Sequence, residues 1–172
     1  MPADNLQRSA VLIPVIEAEG FPLLYTKRSA AMRHHAGQIS FPGGRQEEGE
    51  SSWQCALREA GEEVGLQAAG VTYLGRIDDV LSPQGFHVAC HVGLIDDFKP
   101  VLNPAEVERV FRVPLSFIFK QAWHEVKPWQ TNSDVSVHYF HFPECLVWGV
   151  TGQITFRLMR ALTKVSEKAE WS

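Results

Sequence analysis

Residues 51–66, SSWQCALREAGEEVGL, restrict this chain more than any other stretch. Ser51 with Gln54 three residues later fits a capping box, in which each side chain satisfies a free backbone N–H at a helix start. Trp53, Ala56, Leu57, Ala60 and Val64 recur along one helix face, and Gly65 stands where a left-handed C-terminal cap belongs. The spacing therefore predicts an amphipathic helix from near Ser51 to Gly65. Its polar side is unusual. Glu59, Glu62 and Glu63 fall within about one helical turn, and like charges at i and i+4 cost an isolated helix about 0.2–0.5 kcal/mol. By angle they lie away from the apolar stripe, so their charges need not be buried. A solvated acidic face is the ordinary outcome for a lone run of this kind. Here Glu47, Glu48 and Glu50 raise the charge density further, and the turn Pro42-Gly43-Gly44 brings bare backbone towards the carboxylates.

A hard divalent cation answers the repulsion. Mg²⁺ or Mn²⁺ takes carboxylate oxygens, keeps several waters and completes its shell with phosphate oxygens. Such an ion activates water and offsets charge developing at phosphorus, so the pattern points to metal-assisted hydrolysis.

The remaining chain is that of a soluble protein of one domain, expected to span residues 1–172. The formal charge of -4 argues against a broad polyanion-binding surface, so nucleic acid is not an expected partner. Cys55, Cys90 and Cys145 have no CxxC spacing, which reads as reduced thiols in a cytoplasmic protein. The N-terminal apolar run is broken by Pro14 and ended by Glu17, too short for a signal segment or a membrane span. Residues 10–16 and 21–26 read as a hairpin around Gly20, and residues 71–77, 86–95 and 133–142 as strands, with 78–85 a loop. Residues 103–121 mix a polar segment, a strand-like VFRVPL and a short helix. A C-terminal helix carries the stripe Ile154, Leu158, Met159, Leu162 and Val165. Strands interleaved with helices predict an α/β fold with a mixed sheet covered by helices.

Gly44, five residues, Glu50, seven residues, then Arg58-Glu59-Ala60-x-Glu62-Glu63-x-Gly65-Leu66 resembles the Nudix box at every fixed position. The resemblance implies a Nudix-type α/β/α sandwich with the mixed sheet between helices, and hydrolysis of a nucleoside diphosphate linked to another moiety. It implies that Glu59 and Glu63 are the main metal ligands, that the Gly43 carbonyl reaches the metal, and that Glu62 is a further ligand or water-activating base. It also implies that Arg58 holds Glu59 and that Glu50 supports the site. The family often sets another carboxylate on a later loop; Glu106 and Glu108 are the candidates, with Glu106 preferred.

The segment before the box, Thr26-Lys27-Arg28-Ser29, then Arg33, Gly37 and Phe41-Pro42-Gly43-Gly44, resembles the motif of the Nudix coenzyme A pyrophosphatases. It departs from that motif once, with Tyr25 at a leucine position, a swap a strand tolerates. This resemblance implies water attack on the pyrophosphate of coenzyme A or a derivative, releasing 3′,5′-ADP and 4′-phosphopantetheine. Lys27, Arg28 and Arg33 suit such a ligand, because cations at set positions bind phosphates and the arginine fork does so bidentately. Arg33 is the expected partner of the 3′-phosphate. Another nucleotide substrate such as ADP-ribose, or a nucleotide-binding module without catalysis, are the competing expectations, and a homodimer is left open.

Other signals are weaker. His87 and His91 lie four apart in a strand, about 13 Å along it, which makes them poor co-ligands. His138 and His141 fall on opposite strand faces and read as structural, while His34 and His35 sit in the basic segment. Trp123, Trp129 and Trp148 could stack on adenine, though core packing is the commoner fate of tryptophan. Acidic neighbours should raise the Cys55 thiol pKa, which makes packing its expected role.

Overall fold

In the strand Gln7–Ile16, alternate residues belong to different cores. Ala10, Leu12 and Ile16 join one buried cluster, whereas Val11, Ile13 and Val15 pack into another. Side chains of a strand point alternately to its two faces, so this strand must be covered on both. That requirement explains its near-continuous apolar run. The computed structural model describes residues 6–170, the side chain of Glu170 excepted.

The strands in chain order are β1 (Gln7–Ile16), β2 (Leu23–Arg28), β3 (Ile39–Ser40), β4 (Gly43–Arg45), β5 (Val71–Leu81), β6 (Phe86–Ile95), β7 (Val107–Val113), β8 (His124–Trp129), β9 (Asn132–His141) and β10 (Leu146–Val147). The α-helices are α1 (Ser52–Val64), between β4 and β5, and α2 (Gly149–Glu170), at the C-terminal end of the described residues. The short helix expected within residues 103–121 is a 3-10 turn, Leu115–Phe119. Seven strands form one sheet in the order β3-β2-β1-β6-β5, with β4 paired to β1 and β7 to β2. β1 and β6 run parallel along their whole length while the other pairs are antiparallel, which makes the sheet mixed. Cys55, Ala56, Ala60 and Val64 of α1 close one face, and Ile154 and Leu158 of α2 close the other. The α/β expectation with a mixed sheet between helices is met.

Three details differ from the sequence reading. Residues 78–81 are not loop: β5 continues to Leu81, carried through irregularities at Tyr73/Gly75 and Ile77/Val80. At the second of these, Asp79 accepts both Arg76 and His87, and its carbonyl accepts Arg157 of α2. β8 was not anticipated; with β9 and β10 it forms a second, three-stranded sheet against α2. Its polar run containing Pro128 carries little strand signal, because its order comes from pairing with β9. Val165, on the expected stripe of α2, is exposed, since the helix there has run past the core. Among the described residues no helix is long and apolar enough to cross a membrane.

Candidate metal centre

The capping box at Ser51 fixes where α1 begins. The Ser51 hydroxyl accepts from Gln54 N at 3.1 Å, and the Gln54 side chain accepts from Ser51 N at 2.9 Å. Gly65 ends the helix at φ 73°, a left-handed conformation open to glycine without strain. With both ends set, the buried stripe turns Glu63 inwards as well. It is only 7% exposed, contrary to the expectation that these carboxylates stay clear of the interior.

Glu63 is joined by Glu59, one turn earlier, and by Glu106, which precedes β7. One carboxylate oxygen from each lies within 4.8 Å of the others. They line a cavity of about 150 Å³ with Thr26, Arg28, Met32, Gly43, Gly44 and Val107. Gly43 N donates to Glu63 Oε1 at 3.4 Å. At Gly44 a Cβ would occupy the space of the Glu59 carboxylate, so glycine there lets the side chain lie against bare backbone. Burial, reinforced by Glu59 and Glu106, pushes the Glu63 carboxyl up to about 8. Burial raises Glu59 too, although Arg58 pulls it down. A buried Glu63 and a partly buried Glu59, both with raised pKa values and with the Glu106 carboxylate beside them, are what a hard divalent cation would stabilise in their charged form.

Arg58 holds the outer side of the group. Its Nε donates to Glu50 Oε1 at 2.7 Å and its Nη2 to Glu50 Oε2 at 3.2 Å, a bidentate pair. Nη1 reaches Glu59 Oε1 at 3.1 Å and both oxygens of Glu62 at 3.3 Å. Glu50 is lowered, chiefly by the Arg58 hydrogen bond. Arg58 thus bridges Glu59 and Glu50. Glu62 does not enter the group of three: it sits on the exposed side, bonded to Arg58.

The basic residues separate. The register of β2 with β7 shifts between Lys27 and Arg28, which pair with Arg109 and Val107 respectively. Such a bulge re-aims side chains. Arg28 lines the cavity, and its buried Nε has no hydrogen-bond partner among the described residues. Lys27 lies outside the lining and pairs with Glu108 at 3.5 Å. Of the two candidate carboxylates, Glu106 in the turn meets the cavity, whereas Glu108 is not on a loop but in β7 and does not meet it. Arg33 is exposed in the connection between β2 and β3, outside the lining. That connection contributes Met32, which no sequence signal marked.

The discounted residues take structural places. His87 pairs with Asp79 at 2.9 Å, and buried His91 bonds the Ser52 hydroxyl at 2.8 Å. His138 is buried and bonded to His124, while His141 is exposed beside Glu125. Cys55 is fully buried, its thiol pushed up to about 11 by burial and Glu50. Trp123 packs on the α2-side core, whereas Trp129 and Trp148 are exposed, the latter stacked on Tyr139.

Comparison with known proteins agrees with this architecture. Residues 6–138 match the NUDIX domain. The chain is 36% identical over 159 residues to the uncharacterised Nudix hydrolase NudL of Photorhabdus laumondii, covering 91% of this chain and 85% of the relative. It is also 36% identical to its counterpart in Yersinia enterocolitica, covering 90% and 80%. The fold is similar to that of a C. elegans Ap4A hydrolase binary complex, at TM-score 0.61 and 16% identity over 91% of this chain and 98% of that one. It is also similar to the NUDIX domain of Shewanella oneidensis NrtR complexed with ADP ribose, at TM-score 0.53 and 18% identity over 67% and 77%. This chain belongs to the Nudix hydrolase family.

Proposed function

We propose that the protein hydrolyses the pyrophosphate bond of coenzyme A or a close derivative, yielding 3′,5′-ADP and 4′-phosphopantetheine. The observation that carries hydrolysis of a diphosphate is the group of Glu59, Glu63 and Glu106 beside Arg28, whose buried Nε has no partner among the described residues. Coenzyme A as the substrate rests on the resemblance of residues 26–44 to the coenzyme A pyrophosphatase motif. Glu59, Glu63 and Glu106 would hold Mg²⁺ or Mn²⁺, and the Gly43 backbone lines the same space. When bound, that cation supplies Lewis-acid charge and lowers the pKa of a coordinated water. Arg28 offers its donors to the phosphate, consistent with the general preference of guanidinium for phosphate oxygens. Arg58 is a positioning residue, fixing Glu59 through the same guanidinium that grips Glu50. Glu62, engaged with Arg58, belongs to this clamp. Phosphoryl transfer asks mainly for positioning and charge stabilisation, which such side chains provide.

Pockets for whole ligands of drug size measure about 300–1,000 Å³; with a cavity of about 150 Å³, the flanking groups of such a substrate would lie outside it. Selectivity must then come from outside the cavity, where Lys27 and Arg33 remain the proposed contacts for further phosphate. A Nudix hydrolase of another nucleoside diphosphate derivative is the alternative, since Arg28 and the carboxylates meet only the diphosphate that all such substrates share.

Incubation with Mg²⁺ and coenzyme A, 3′-dephospho-coenzyme A or ADP-ribose, followed by mass spectrometry of the products, tests the assignment. Coenzyme A should give the two named products with the highest kcat/KM. Faster turnover of ADP-ribose would transfer the assignment to the alternative, and tight binding of nucleotide without turnover would make the protein a binding module.

A further inference from the structure

Glu106 does not belong to α1, yet its carboxylate meets those of Glu59 and Glu63. What brings it there is a knot of hydrogen bonds on Asn103. Helices end with unsatisfied carbonyls, and at the end of α1 two of these accept from the returning chain. Val101 N donates to Val64 O and Asn103 N to Glu63 O, both at 3.0 Å. Gly65 leaves room for this return, since a Cβ there would press on Val101. Asn103 then turns the chain. Its Oδ1 accepts from Ala105 N at 3.1 Å, and its carbonyl accepts from Glu106 N at 3.0 Å and Val107 N at 2.8 Å. Pro104 follows, with φ preset and no N–H to satisfy. One residue thus bonds the backbone of Glu63 on one side and the turn that presents Glu106 on the other.

We propose that Asn103 is a positioning residue of the metal centre, acting through Glu106. The inference rests on the cation reading of the three carboxylates. The Asn103 amide oxygen sets the turn, the turn sets the Glu106 carboxylate, and the Asn103 N–H ties both to the helix bearing Glu59 and Glu63. The same knot continues outwards, since the Glu106 carbonyl accepts from Ser29 N at 2.9 Å at the start of the connection that carries Met32 and Arg33.

The test is a double-mutant cycle on Mn²⁺ affinity, read by electron paramagnetic resonance of free Mn²⁺ in the absence of substrate. Asn103→Ala should weaken binding by about tenfold or more, the usual cost of removing a support behind a ligand, and Glu106→Gln by a similar factor. Because one acts through the other, the double variant should bind no worse than the weaker single variant. Asn103→Asp, which keeps the turn-forming oxygen, should stay close to wild type. Should Asn103→Ala fail to fold, Asn103→Ser, with a weaker turn acceptor, should show a graded loss that Glu106→Gln masks. Unchanged Mn²⁺ affinity in Asn103→Ala, or additive losses in the double variant, would overturn the inference. A wild-type protein that binds no Mn²⁺ would overturn the cation reading and this inference with it.

Discussion

Two residues of the candidate centre are worth more to its chemistry than to the fold. At Gly44 the space a methyl group would need is taken by the carboxylate end of a flexible side chain, not by backbone. Gly44→Ala should therefore leave the melting temperature within a few degrees of wild type, since Glu59 can move aside. The displaced ligand should lower Mg²⁺-dependent turnover at least tenfold, the scale typical of disturbed metal ligation. Thermal melts alongside initial rates check this, and equal losses in both would contradict it. Glu63 makes the complementary case. Without a cation its folded-state pKa is near 8 against an ordinary 4.5. The folded protein therefore keeps a proton that the unfolded chain releases, and this contribution to stability is full below about 4.5 and lost as pH rises through 8. In EDTA at pH 8.5, Glu63→Gln should melt above wild type, by on the order of 1–3 kcal/mol in stability. Adding Mg²⁺ should raise the wild-type melting temperature and not that of the variant, because only a bound ligand stabilises. A variant less stable than wild type in EDTA would contradict the assignment.

At the scale of elements, the joint between α2 and the second sheet is built on aromatic and histidine rings. His138 lies 3.9 Å from Phe156 by ring centroid and bonds His124 at 2.9 Å. A Cβ at Gly152 would meet the His138 carbonyl, so the helix approaches as closely as glycine permits. Burial and the neighbouring His124 push His138 down to about 4. Between pH 6.5 and 4 the unfolded chain binds the proton and the folded one does not, so stability falls as pH drops through that window, by up to about 1.4 kcal/mol per pH unit for one group. The urea midpoint should fall accordingly in wild type. His138→Phe, which keeps a ring against Phe156, should flatten the fall; identical slopes would show that this joint does not carry the acid sensitivity. The sequence marked the strand β9 and the helix α2 but not the joint between them. β9 announced itself by alternation, but β8 acquires strand structure from its partner, and His138 revealed nothing of its burial. α1 was legible at both ends, because a capping box and a terminal glycine act locally. The strand end at Ile77 misled for the converse reason: Asp78 and Asp79 read as loop, yet Asp79 is held in β5 not only by Arg76, three residues before it, but by His87 of β6 and Arg157 of α2, partners distant in sequence.

For the whole molecule, the two-faced burial of β1 decides the layering, and the layering decides where the centre can be. α1 must lie on one face of the sheet, which sets Glu59 and Glu63 over β4; the chain returning past the end of α1 then supplies Glu106. The sequence located the first two, since they share a helix with fixed spacing. It offered Glu106 and Glu108 as near equals, because a bulge between β2 and β7, a property of pairing across 80 residues or so of chain, aims one at the cavity and the other at Lys27. It grouped Lys27, Arg28 and Arg33 as one basic set, whereas the fold brings only Arg28 to the cavity.

All of this depends on a divalent cation being held by the three carboxylates. Crystals grown with Mn²⁺ and collected near the manganese absorption edge test it most directly. The account predicts an anomalous peak among Glu59, Glu63 and Glu106, lost in Glu63→Gln. A structure with Mn²⁺ and a bound diphosphate but no peak there would contradict it.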